Sequence, residues 1–343
     1  MKASLLFLCA SLAFGQTTRS TVTNGRVESR PFRSDLNQQI ASNSPAWFGY
    51  VVTTTGRQHD SCCWGGEGQY GCRLENGNAS GSTTVSAPNT PIPLEGSDRI
   101  AILVRVDNAG IGKIRTYSVL CPLDAGGLPF TWIENVPARA SLAFLENAVH
   151  NNPNEHVADG AITGIAQHED GEADTILTRL TQPSQPEKIR EKAVFWLGAA
   201  RGARGVPVLK QLLANDASEH IRDKAVFALS ISKDPEGINA IIEAAKTDKS
   251  PHVRSQALFW LAQKAGKRAA ATIVDAIQND PDTHVKERAV FALSQLPKDE
   301  GIPKLIQVAS DQRNPEVKKK AFFWLGQSGD PRALAFIESV LTK

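Results

Sequence analysis

The stretch 251–263, PHVRSQALFWLAQ, decides the fold. Around Ala257 the apolar residues Val253, Leu258 and Leu261 keep the spacing of one buried stripe on an α-helix. The stripe recurs at a fixed step of 32: Ala161, Ala193, Ala225, Ala257, Ala289 and Ala321 occupy the same place in six copies. Val157, Ile189, Ile221, Val253, Val285 and Val317 stand four residues before them, and Ile165, Leu197, Leu229, Leu261, Leu293 and Leu325 four after. A period of this size is what stacked supersecondary units produce, each burying its apolar side against the next.

A second helical pattern precedes each of these. Leu145, Leu177, Leu209, Ile241, Ile273, Leu305 and Ile337 hold one register, so the array opens on a first helix near Ala138 and closes on an unpaired helix near Lys343 that should cap the stack. Asn154, Ser218, Ser250, Asp282 and Asn314 stand where the second helices begin and are good N-caps, with Pro186 the exception. Pro251 and Pro315 follow at the first helical position, where a missing N–H costs nothing.

The strings VRSQALFWLAQ (253–263), VKERAVFALSQLPKDEGIPKLI (285–306) and FFWLGQSGDPRALAFI (322–337) resemble HEAT-like repeats of the type named for phycobilisome lyases. The likeness lies in a helix of valine, basic residue, alanine and leucine, and in the glycine–aspartate turn. It covers about residues 139–343. It is weakest in the first unit, where Gly160, Thr163 and Gly164 replace the usual side chains. The resemblance implies a right-handed α/α superhelix with its second helices on the concave surface. It does not imply a lyase, because most such repeats are binding or scaffolding modules.

With the repeated alanine as the inward direction, the columns four before and four after lie within about 40 degrees of it and form the buried seam. Phe195, Phe227, Phe259, Phe291 and Phe323 sit two residues after the alanine, about 200 degrees away, and should point outward as a hydrophobic stripe for a protein or peptide partner; the alternative is that curvature packs these rings on one another and on adjacent helices. Gln263, Gln295 and Gln327 offer polar contacts beside it. The next column alternates, Trp196, Ala228, Trp260, Ala292, Trp324, and reads as core packing in which each indole fills the space beside a neighbouring alanine, the alternative being half-exposed indoles that stack on a ligand. That alternation suggests a doubled unit of 64 residues. His156, His220, His252 and His284 form an outward column, read as exposed first-turn residues near Asp159, Asp223 and Glu287. Helices ~10 Å apart do not bring two imidazoles to one metal ion.

Charge narrows the partners. From residue 138 onward 27 Lys and Arg face 26 Asp and Glu, which lacks the basic footprint that a phosphate backbone needs, so no nucleic-acid partner is expected.

The N-terminal part differs in kind. Residues 1–15 read as a signal peptide cut before Gln16: Lys2, an apolar run to Phe14, then Gly15. No membrane span is expected after cleavage, and the product should be exported to a periplasmic or extracellular space. Residues 16–45 read as a polar lead-in with a short strand at Gly25–Arg30 and a short helix from an N-cap at Ser34 through Ile40. Residues 46–137 read as a small α+β domain with a strand at Trp47–Thr54, a cross-linked loop at His59–Ser82, and a hairpin of Ile100–Asp107 with Ile111–Cys121 around Asn108–Gly110. Residues 138–343 hold the repeats.

Cys62, Cys63, Cys72 and Cys121 form an even set suited to two disulfides. Adjacent cysteines rarely bridge each other, so Cys62 and Cys63 each reach to one of Cys72 and Cys121, in either pairing. A zinc site adding His59 is the alternative, but these cysteines lack the paired spacing of a zinc ribbon. Asn78–Ser80 is a glycosylation sequon. Asp124–Leu128 is a short acidic, glycine-bearing turn, and the sequence contains no zincin, nucleophile-elbow or phosphate-loop motif. The expectation is therefore a binding or scaffold protein without catalytic residues, metal or cofactor. The competing class is an enzyme or lyase-like chaperone with a metal or cofactor site among the N-terminal cysteines.

Overall fold

The computed structural model describes residues 19–58, 62–63, 71–75, 96–108, 110–152 and 154–342. The signal-like stretch, His59 and the sequon lie outside them. The chain divides into two compact units, Met1–Phe144 and Leu145–Lys343.

In the first unit five strands form a mixed sheet in the order β2-β8-β3-β5-β6. β2 (Val27–Pro31) and β3 (Ala46–Gln58) both run parallel to β8 (Phe130–Glu134), while β5 (Ser97–Asp107) is antiparallel to β3 and to β6 (Gly110–Ser118). The hairpin turns on Gly110 at φ +101°, backbone that only glycine adopts without strain. A small second sheet places β7 (Leu123–Asp124) between β1 (Val22–Thr23) and β4 (Cys72–Arg73), all parallel.

Strand alternation sends Trp47, Ala101, Leu103, Phe130 and Trp132 into one buried cluster with Leu74, Leu123, Cys62, Cys72 and Cys121. Gly49 makes room for it: a Cβ there would stand 2.8 Å from both the Phe130 and Trp132 rings. Cys62 is joined to Cys121 and Cys63 to Cys72.

The short helix α1 is Leu36–Gln39, and its N-cap is Asp35 rather than Ser34. The physical reason is direct, since the Asp35 carboxylate accepts the Asn37 N–H at 2.8 Å. The strand expected to reach Cys121 ends at Ser118.

From Ala138 onward the chain alternates two kinds of helix. The first helices are α2 (Ala138–Asn151), α4 (Glu172–Leu180), α6 (Val206–Asn215), α8 (Pro235–Thr247), α10 (Lys267–Asn279), α12 (Lys298–Asp311) and α14 (Pro331–Leu341). The second helices are α3 (Glu155–Gln167), α5 (Glu187–Ala199), α7 (Glu219–Ile231), α9 (Pro251–Lys264), α11 (Thr283–Ser294) and α13 (Pro315–Gln327). All six repeated alanines are at 0% exposure, and the flanking columns are buried except Ile189, which is half-buried. Asn154, Ser218, Ser250, Asp282 and Asn314 each accept a first-turn N–H, and Pro186 makes no such bond. On the last helix Leu334 is 59% and Leu341 80% exposed.

A buried ionic ladder, which the apolar pattern does not reveal, hooks three of the central repeats each to the next. Three residues before the alanine stand Arg190, Arg222 and Arg254, and their partners Asp216, Asp248 and Asp280 end the first helices of the following repeats. Arg222 grips Asp248 through Nε and Nη2 at 2.9 and 3.2 Å and donates to the Asp216 carbonyl at 2.9 Å. Arg254 repeats this with Asp280 at 2.7 and 2.9 Å and with the Asp248 carbonyl at 2.8 Å. The Asp280 carboxylate holds the Arg254 guanidinium above its ordinary range. Each aspartate also accepts the N–H of the next N-cap residue, Ser218, Ser250 or Asp282. In the last two repeats Lys286 and Lys318 replace arginine and reach the carbonyls of Gln278 and Ser310.

At the weak first repeat, His168 ends α3 at 1% exposure, and its carbonyl accepts from the buried Arg201. Burial pushes the imidazole down to about 4, with Asp170 pulling it up and Arg201 down. Unfolding lets it take a proton near 6.5, so between about pH 6.5 and pH 4 the unfolded chain binds more protons and stability falls with falling pH. The full loss is about 3 kcal/mol. His168→Gln should flatten denaturant midpoints across that window; an unchanged slope would count against burial as the cause.

Candidate functional site

The phenylalanine column and the tryptophan column form one structure. Phe195 stacks on Phe227 with centroids 6.2 Å apart, and Phe259 stacks on Phe291 at 6.3 Å. Between these pairs an indole is interposed: Phe227 meets Trp260 at 4.9 Å and Trp260 meets Phe259 at 5.1 Å. The same step recurs with Phe291 to Trp324 at 5.0 Å and Trp324 to Phe323 at 5.0 Å, while Trp196 on Phe195 at 5.1 Å begins the series. Eight rings thus run without a break from α5 to α13.

The local cause is the alternation of Trp and Ala. Where the residue after the phenylalanine is Ala228 or Ala292, both fully buried, the phenylalanine meets its counterpart on the preceding helix. Where it is Trp260 or Trp324, the indole inserts and meets the preceding phenylalanine at a tilt. Interplanar angles follow the doubled unit, 45° at both Phe–Trp steps between helices and 73° and 81° within α9 and α13.

Two expectations change with this. The freely outward stripe gives way to the packed alternative: Phe195, Phe227, Phe259 and Phe291 are half-buried against one another, and only Phe323 reaches 52% exposure. The tryptophans are not core fillers either, because all three are half-buried and share the ridge. The angle about one helix misplaced them; an indole is long enough to leave its own seam and lie across the neighbouring helix. Such ring pairs contribute about 0.5–1.5 kcal/mol each beyond burial, which holds the ridge in one geometry.

Gln263, Gln295 and Gln327 are exposed at the ends of the same helices. Gln295 and Gln327 meet Trp324, Ser294 and Leu296 in a groove of about 260 Å³ between α11, α12 and α13. Apolar faces and amide groups therefore adjoin, the combination that binds an extended backbone: rings take side chains, amides take peptide groups.

The histidine column is exposed, but its partners lie mostly one repeat back. His220 meets Glu191 at 3.2 Å and His252 meets Asp223 at 3.7 Å, while His284 keeps Glu287 at 3.9 Å. Lys188, Lys192 and Lys224 reach back in the same way to Glu155, Asp159 and Glu191. Lys224, with His220 adding to it, holds the Glu191 carboxyl below its usual range, whereas burial pushes Asp223 up against the pull of His252.

Among the described residues, one group of side chains has metal-ligand spacing: Cys62, Cys72 and Cys121, within 4.8 Å of one another. Their sulfurs are engaged in the two disulfides and offer no thiolate to an ion in this redox state. Among the described residues no helix is long and apolar enough to cross a membrane.

The family model of HEAT repeats matches residues 173–262, 238–321 and 270–343. Among solved structures, the CpcE–CpcF complex of phycocyanin lyase from Nostoc sp. PCC7120 is 18% identical, over 60% of this chain and 85% of that chain, with a TM-score of 0.34. Human deoxyhypusine hydroxylase in complex with glycerol is 19% identical over 60% and 78%, with a TM-score of 0.26. Drosophila melanogaster Mini spindles TOG3 is 13% identical over 55% and 95%, at 0.39. No curated protein matches the sequence. Residues 173–343 are HEAT repeats, and the chain joins a small α+β unit to a HEAT-like solenoid.

Proposed function

We propose that this protein is an exported, non-enzymatic scaffold that captures an extended peptide or protein segment along the concave face of its solenoid. The continuous ridge of eight rings from Trp196 to Phe323 carries this reading. A ridge so ordered, flanked by exposed glutamines, supplies rigid aromatic anchors with little conformational entropy left to lose on binding. A HEAT-repeat solenoid is compatible with a protein-binding scaffold. Two disulfides and the charged-then-apolar start of the chain support export.

The test is a random peptide library selected on the full-length oxidised protein, followed by hydroxyl-radical footprinting of the selected complexes. Protection is expected at Trp260, Trp324 and Phe323. Peptides that bind while leaving all three unprotected would place capture elsewhere.

A further inference from the structure

The two disulfides of the first unit touch. Cys72 Sγ lies 3.7 Å from Cys121 Sγ, although these atoms belong to different bonds. The contact is held by backbone: Cys72 pairs in register with Leu123, and its N–H donates to the Pro122 carbonyl at 2.9 Å. The approach of Cys72 to Cys121 therefore does not depend on either cross-link. The four cysteines also differ in exposure. Cys63 is half-buried, whereas Cys62 is 9% exposed and Cys72 and Cys121 are at 0%. Finally, the Cys63 N–H points at Cys72 Sγ at 3.0 Å.

We propose that these cysteines form a thiol–disulfide exchange relay that accepts electrons from a small thiol at Cys63 and moves the core cross-link from Cys62–Cys121 to Cys72–Cys121. An incoming thiolate attacks at the most exposed of the four residues, Cys63, forms a mixed disulfide there and expels Cys72 as a thiolate. The Cys63 N–H stabilises that charge, as a donor to an anionic acceptor does. Cys72 is already in contact with Cys121, so its attack there is intramolecular and outruns attack by any dilute external thiol. The Cys72–Cys121 bond forms, the Cys62–Cys121 bond breaks, and Cys62 leaves as a thiolate that takes up a proton.

A second thiol then resolves the mixed disulfide at Cys63. Two thiols become one disulfide, and the protein gains two electrons and two protons. The unit keeps a fully buried cross-link and presents Cys62 and Cys63 as neighbouring thiols. Closing those two on each other is disfavoured by the strain of an adjacent-residue disulfide, so the dithiol persists until an oxidant or a disulfide partner takes its electrons.

The test uses the full-length oxidised chain with limiting glutathione near neutral pH. Samples are quenched in acid, alkylated with a maleimide in acidic denaturant so that buried thiols react without exchange, digested and mapped by mass spectrometry. The relay predicts that most chains carrying two new thiols have alkylated Cys62 and Cys63 and a Cys72–Cys121 linked peptide. Three results overturn it: alkylated Cys63 and Cys72 with Cys62–Cys121 intact, both bonds opening together, or neither bond opening.

Discussion

Asp248→Ala is expected to cost the array about 3–5 kcal/mol, more than any single apolar truncation on its surface. The Arg222 and Asp248 side chains are 3% and 4% exposed, so removing the carboxylate strands a guanidinium among the carbonyls of Asp216 and Ala217. It also leaves the Ser250 N–H, which Asp248 accepts at 2.8 Å, without its partner at the start of α9. The one hook between these two repeats is lost. The pair itself need not stabilise by that amount, because taking both charges out of water offsets most of their attraction.

The double replacement Arg222→Met with Asp248→Leu should therefore recover most of the loss. Chemical denaturation and hydrogen exchange would read both, with exchange rising first in α7, α8 and α9 for the single variant, since repeats open locally. A loss under about 1 kcal/mol for Asp248→Ala would mean that the ladder behaves as a surface ion pair.

The seam was legible because burial leaves a period: six alanines with aliphatic neighbours at four residues before and after can face only inward, and the helices, caps and register follow. The arginine ladder was also written in the chain, as Arg190, Arg222 and Arg254 with Asp216, Asp248 and Asp280 at the same step of 32. A charge about 60 degrees from the buried direction asks for a partner of equal period, but an apolar pattern assigns it to the edge of the solvent face. In the N-terminal unit the strands announced themselves through β-branched and aromatic runs. The disulfide pairing did not, because it depends on β4 meeting β7 across 50 residues of chain, a contact that local preference does not encode.

The site was half legible for a related reason. A helical wheel places side chains about one axis, and the ridge is made across axes. Five phenylalanines at a single wheel position were the visible half; the indoles that bridge them were hidden by their own angle.

That bridging separates the members of the ridge by consequence, and Phe227→Ala is the variant with the largest expected effect on capture. Phe227 touches Phe195 on one side and Trp260 on the other, so its loss cuts the series into a short piece at α5 and a longer one from α9 onward. Phe323 stands at the end of the series, touching Trp324 alone among the ridge rings, and its removal shortens the ridge without dividing it. Buried aromatic anchors near the centre of an interface carry 2 kcal/mol or more, roughly 30-fold in affinity, and the lost continuity compounds this, so Phe227→Ala should weaken a ridge-spanning peptide about 100-fold. Phe323→Ala should weaken it about 10-fold or less.

Stability moves in the opposite sense to a simple surface position, because Phe227 is half-buried and its truncation gives up about 1–2 kcal/mol of packing. Phe227→Leu is the control that keeps apolar volume but offers no ring to Trp260, and it should restore most of the stability and little of the affinity. Calorimetry of the three variants with a selected peptide reads both quantities. If Phe227→Leu binds as the parent does, the ridge acts through apolar area alone; if Phe323→Ala and Phe227→Ala weaken binding equally, continuity contributes nothing.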